Sequence, residues 1–310
     1  MSAIATRDAL GEEVLKLAQE HKDVYVVDCD VAKSCKTLAL EEKVPMQHLN
    51  VGISEANAVD IAAGLATCGK VPFVVTYAIF GSMRACEQIR QECCYTKLNV
   101  KILCSHGGLT PANDGASHQC IEDMGVLRTI PNMTVIMPAD YYSAKKLIDK
   151  AYEFHGPVYL RFTRDKIECV YDENEEFEIG KAKKLKNGSD VAIFANGDTV
   201  CIAKKAAEKL EEEGVSAALY DMHTIKPLDK EAVLNEIKSC GKIITVEDHN
   251  IINGLGSAVA EVIAEEGCGK LKRVGVQDQF GESAPYEYLL AKNGITVENI
   301  CEQAQKLVRE

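Results

Sequence analysis

Short β-branched runs recur along the first half of the chain: VYVV (24–27), VPFVVT (71–76), VKILC (100–104), TVIM (134–137) and VYLR (158–161). Stretches of helical period separate them. Such alternation predicts βαβ units and a largely parallel sheet. From 171 to 188 the text becomes YDENEEFEIGKAKKLKNG, charged and without a sustained apolar period, which predicts a linker or an edge hairpin between domains. A second alternation follows with DVAIFA (190–195), AALYD (217–221), KIITVED (242–248) and RVGV (273–276), each leading into a helical stretch. The predicted fold class is α/β in two domains, 1–170 and 189–310, joined by a linker at 171–188. Each domain is a largely parallel sheet flanked by helices, the same architecture used twice, with no short-period repeat.

Composition narrows the picture. The 310 residues are 46% hydrophobic, enough for two cores. The N-terminus MSAIATRDALGEEV lacks the basic-then-apolar order of a secretory signal. No apolar run reaches the length of a bilayer span, so the expected location is the cytoplasm, away from membranes. A net charge of −12 with mixed signs along the helices argues against nucleic acid as partner. A local convergence of Arg and His would still serve a small anion. The 13 cysteines are odd in number, scattered and free of CxxC pairs. Cys68, Cys104 and Cys201, lying in apolar stretches, are expected to be reduced core residues, and the adjacent Cys93 and Cys94 have little claim to redox chemistry.

In open parallel sheets ligands collect beyond the carboxyl ends of the strands. The residues there are polar: Asp28, Asp30 and Ser34; Tyr77 and Phe80; Ser105, His106, Asp114 and His118; Arg161 and Arg164. Glu55 opens the predicted helix SEANAVDIAAGLATCG, with Ser54 placed to cap it. A carboxylate in a first turn ordinarily complements the helix dipole, and alone that reading wins. The Ala/Gly face, however, allows close packing that would leave Glu55 poorly solvated with a raised pKa, able to protonate a ring nitrogen. Tyr77 and Phe80 read by default as core, and otherwise as rings stacked on a heteroaromatic cofactor. The segment SHGGLTPANDGASHQ (105–119) is loop. Its His spacing matches no common metal template, so no metal is assigned to it. Exposed loop polars and recognition of hydroxyls or phosphate stand even there. GLGS (254–257) and NGDT (196–199) could each cradle a phosphate, although Gly at such turns more often serves the turn itself.

Several blocks in order resemble the second half of the transketolase family. IATRDALG is similar to its entry helix and DCDVAKS to its first strand-end loop. NVGISEANAVDIAAGLATCGKVPFVVTYAIFGSMRACEQIR resembles the segment holding the catalytic glutamate and the aromatic cofactor cradle. CSHGGLTPANDGASHQCIEDMGVLRTIPNMTVIMPAD is similar to the substrate loop, and YLRFTRDK to the closing arginine motif. The resemblance implies pyrimidine-binding and C-terminal domains. It implies that Glu55 protonates the aminopyrimidine of thiamine diphosphate and that Phe80, with Tyr77 beside it, lines that ring. His106, Asp114 and His118 would contact sugar hydroxyls, and Arg7, Ser34, His106 and Arg164 the anionic end of the sugar. A two-carbon ketol unit would pass from a ketose to an aldose. The family's GDG motif, which holds the diphosphate through Mg²⁺, is missing. By this resemblance the metal belongs to a separate N-terminal, diphosphate-binding subunit, and two copies of each chain form a heterotetramer through a dimer core. The Phe80-to-Arg84 spacing is one residue longer than in single-chain members and resembles the split form. Met83 stands where some relatives have an aromatic.

The rivals share much of this. The beta subunit of a 2-oxo acid dehydrogenase has the same domain pair, but its substrate has no chain of hydroxyls to engage the 105–119 loop. The synthase of deoxyxylulose phosphate normally keeps all domains in one chain. A non-catalytic transketolase-like subunit is the reading from another class, and an intact Glu55 speaks against it.

Overall fold

A computed structural model describes residues 3–309. Seven strands form the first sheet in the order Thr224–Lys226, Thr134–Ile136, Val158–Arg161, Lys101–Ser105, Val71–Tyr77, Val24–Asp28, His48–Asn50. Every neighbouring pair is parallel except the first. Alternate residues of each strand point to opposite faces. Val24, Val26, Phe73, Val75, Leu103 and Leu160 pack with Leu10, Val14 and Leu17 of helix Thr6–Glu20 and with Leu147 and Ile148 of helix Tyr141–Glu153. Val27, Val74, Ile102 and Tyr159 pack on the other side against Ala58, Val59 and Ala62 of helix Glu55–Thr67. Because both faces are covered, the strands read as unbroken apolar runs. Each fully buried Val, Leu or Phe contributes on the order of 1.5–3 kcal/mol.

The second sheet has five strands in the order Lys270–Val276, Lys242–Asn250, Val191–Ala195, Ala217–Asp221, Lys183–Lys186, with the last antiparallel to its neighbour. Helices Thr199–Glu212 and Val297–Arg309 cover one face, and Lys230–Ser239 and Leu255–Glu266 the other. The charged segment after 170 is fastened at its start. Asp140 caps helix Tyr141–Glu153 with one carboxylate oxygen and accepts the N–H of Val170 and Tyr171 at 2.7 and 2.8 Å with the other. Tyr171 and Phe177 are buried, and Lys183–Lys186 forms the edge strand.

Some expectations need correction. Cys68 is exposed and Cys201 half-buried, because each ends or faces outward from its apolar stretch, whereas Cys104 is fully enclosed. Ser54 precedes helix Glu55–Thr67, but among the described residues its side chain makes no capping bond. The segment GSMRACEQIRQE is wider than an α-helix over most of its length: Phe80–Arg84 and Ile89–Tyr95 are π-helical, with a short α-helical stretch, Cys86–Gln88, between them.

Candidate active site

Glu55 reaches its position through a tight turn. Gly52, with φ +75°, follows strand His48–Asn50, and its N–H donates to the Asn50 side chain at 3.0 Å. The helix then begins at Glu55, whose side chain is 2% exposed. The buried carboxylate is not alone: Arg84 Nη1 donates to its Oε2 at 2.6 Å, from a side chain that is 47% exposed. Arg84 also lies over the Phe80 ring, 4.5 Å from its centroid. Two residues before Glu55, Ile53 is 74% exposed, and Met83, beside Arg84, is 39% exposed.

Tyr77 ends its strand and Phe80 begins the first π-helical turn, so two half-buried rings stand together with centroids 6.0 Å apart. His106 stacks on Tyr77 at 4.0 Å, and His118 meets Phe80 edge-on at 5.6 Å. Burial raises the Tyr77 phenol, and a hydrogen bond with the Ser34 side chain partly opposes that rise. His106 is 2% exposed and bonds Ser105 Oγ through Nδ1 at 2.6 Å. Burial, followed by the nearby charges of Arg7, Arg164 and His118, lowers its pKa to about 3, which leaves a neutral imidazole at physiological pH. Arg7 donates to the Ser34 carbonyl at 3.0 Å, and Arg164 to the Pro111 carbonyl at 2.7 Å with Asp114 at 3.5 Å. His106 and Ala112 hold positive φ, 62° and 53°, in the same loop; non-glycine residues take up such conformations mostly where the surrounding structure imposes them.

The structure therefore brings Glu55, Tyr77, Phe80, His106, His118, Arg7, Ser34, Asp114 and Arg164 to the carboxyl edge of the first sheet. It adds Arg84, which the sequence offered merely as a spacing landmark; a basic residue four positions after Phe80 in a helical segment was the available signal. Other strand-end residues turn elsewhere. Asp28 is buried, accepting from Val31 N and Thr37 Oγ1 at 2.9 and 2.8 Å, and Asp30 accepts from the Asn50 amide at the rim. Arg161 is fully buried between the domains, donating to Asp123 at 3.3 Å and to the Asp248 carbonyl at 2.5 Å. The GLGS turn already holds a carboxyl group: Glu247 accepts the N–H of Leu255 and Gly256 at 2.7 and 2.8 Å. At NGDT the position where a Gly197 Cβ would sit is within 2.1 Å of Met137, so the turn is filled by protein.

A buried carboxylate, two open aromatic rings and a cationic rim at the switch edge of a parallel sheet define a small-molecule site on a two-domain α/β scaffold. The profile of the family described as transketolase, pyrimidine binding domain, matches residues 2–168, and that of the transketolase C-terminal domain matches 180–300. The chain belongs to the transketolase family, among its split C-terminal subunits. It is 43% identical to a protein of Methanocaldococcus jannaschii named as a transketolase C-terminal section, over 98% of this chain and 96% of that one. A subunit of the 6-deoxy-6-sulfo-D-fructose transketolase of Clostridium sp. (strain MSTE9) is 37% identical over 97% and 94% of the two chains. A solved split-gene transketolase, described as an inactive beta4 tetramer, superposes with a TM-score of 0.91 at 42% identity, covering 99% of each chain.

Proposed function

We propose that this chain is the pyrimidine-binding half of a thiamine-diphosphate-dependent transketolase that moves a two-carbon ketol unit from an anionic ketose to an aldose. The carrying observation is the convergence of the buried Glu55 carboxylate and the Tyr77–Phe80 rings on one side with Arg7, His106 and Arg164 on the other. These residues fit the cofactor. Phe80 and Tyr77 leave ring surface open to a flat heterocycle, and Glu55 lies beside them, reached through Arg84. When bound, the cofactor supplies the electron sink that cleaves and re-forms the bond next to the ketose carbonyl.

The chain's own residues supply position and protons. Glu55, shielded from water, would present a carboxyl oxygen to a ring nitrogen in place of the Arg84 guanidinium that now bonds it. Neutral His106 donates or accepts at the substrate hydroxyls without adding charge, while Arg7 and Arg164, with Ser34 beside them, take the anionic end. Asp114 and His118, on the same loop, face the hydroxyls between. Relatives of the same length act on different anionic sugars, so the anion is left as phosphate or sulfonate.

We assign the diphosphate and its Mg²⁺ to a separate subunit. Matching relatives spanning the same length are named as subunits, which supports that division. The apolar Ile53 and Met83 exposed around Glu55 are what a covering subunit would bury. That the structural neighbour is described as an inactive beta4 tetramer supports self-association of this chain. The test is Glu55→Gln, mixed with the diphosphate-binding partner. Ketol transfer should fall about 10²- to 10⁴-fold with assembly on size exclusion unchanged; full activity would sink the assignment and favour a non-catalytic role.

A further inference from the structure

The loop 105–119 is gripped by the second domain, which contributes no residue to the site described above. Asp248, at the end of its strand, accepts the Leu109 N–H with both oxygens, at 3.1 and 2.9 Å. A Cβ on Gly108, at φ +61°, would fall 2.1 Å from Asp248 and 2.2 Å from Arg161, so the backbone is pressed against that pair. Leu109 and Ile121 share a small core with Val276 and Leu289. Further along, the Gln119 amide donates to the Ala112 carbonyl at 3.1 Å and to the Glu282 carbonyl at 2.9 Å. The Ser283 hydroxyl donates to the Asn113 carbonyl at 2.6 Å, one residue before Asp114. A Cβ on Gly281 would meet Gln119 Oε1 at 1.7 Å, so this segment lies flush on the loop.

From these contacts we infer that the C-terminal domain is a positioning device for the substrate loop: Asp248 fixes its start, and Gln119, Glu282 and Ser283 fix the stretch carrying Asp114 and His118. Through them the second domain sets substrate affinity without touching substrate. Asp248, Ser283 and Gln119 are positioning residues. The anchors differ in depth. Asp248 is enclosed and tied to Arg161, whereas Ser283 is exposed, so the loop's far end can be loosened without disturbing the domain interface. The consequence for catalysis rests on the function proposed above; the consequence for the loop does not.

The test uses Ser283→Ala and Gln119→Leu, singly and together, with Ser283→Thr as the conservative replacement. Hydrogen exchange on the full chain is read at the amides of Asp114, Gly115, His118 and Gln119, alongside the melting temperature. Exchange there should quicken about 3- to 10-fold in Ser283→Ala and more in the double variant, with melting of Ser283→Ala unchanged. With the partner subunit present, KM for xylulose 5-phosphate should rise by about the same factor while kcat holds, and Ser283→Thr should restore both readings. Unchanged exchange in the double variant overturns the inference, as does a fall in kcat with KM constant. Wild-type protein that fails to transfer from xylulose 5-phosphate counts against the proposed function, while the exchange measurement still decides the role of the loop anchors.

Discussion

His106 illustrates how far a single side chain departs from its behaviour in water once the fold encloses it. Its ring is held by the Tyr77 stack and the Ser105 bond, and burial, followed by the charges of Arg7, Arg164 and His118, lowers its pKa to about 3. Its ring resonances should therefore stay flat between pH 5 and 8 by NMR; a midpoint near 6.5 would contradict the arrangement. The sign for stability follows: below 6.5 the unfolded chain takes up a proton there that the folded chain refuses, so this group's contribution weakens as pH falls toward 3. Tyr77 and His106 were legible as candidates because they stand at or directly after strand ends, whereas Arg7 was offered by the family resemblance alone. Partnerships were less legible. The Glu55–Arg84 pair joins residues 29 apart, and no periodicity links them. Asp28 and Arg161 look like site residues by position, yet their side chains turn toward Thr37 and the domain interface.

At the scale of elements, the interior strands were readable because burial on both faces writes them as continuous apolar runs. Strands at the margins were not. His48–Asn50 and Thr224–Lys226 are three residues each, and the edge strand Lys183–Lys186 is mostly lysine, so none carries an apolar signature. Helix Leu255–Glu266 shows a different limit: its glycine turn reads as a phosphate cradle until Glu247 is seen filling it. Burial pushes Glu247 up to about 7 despite the two N–H donors. A raised acid favours the folded state fully below its ordinary value of 4.5, and that contribution is lost as pH rises through about 7. Glu247→Gln should accordingly gain on wild type in urea midpoint between pH 5 and pH 8. A gap independent of pH would show that the carboxylate is ionised throughout.

For the whole molecule, the two domains are not strung loosely on a linker. Strand Thr224–Lys226 lies within the second half of the chain yet extends the first sheet, and Arg161 is enclosed between Asp123 of one domain and Asp248 of the other. The sequence could place both domains and their order; it could not show this interlock, because the pairing of a three-residue strand and a buried charge cluster leave no local pattern. The same assembly leaves Glu55 beside exposed Ile53 and Met83, a site open on one side. In the enzyme proposed above, a diphosphate-binding subunit completes that open side. Ketol transfer from xylulose 5-phosphate to ribose 5-phosphate, with thiamine diphosphate and Mg²⁺, should be compared for this chain alone and for the chain mixed with that subunit. Transfer in the mixture and none in the chain alone is the predicted result, with a sulfonated ketose as the donor where the phosphosugar is not taken; transfer by the chain alone would contradict it.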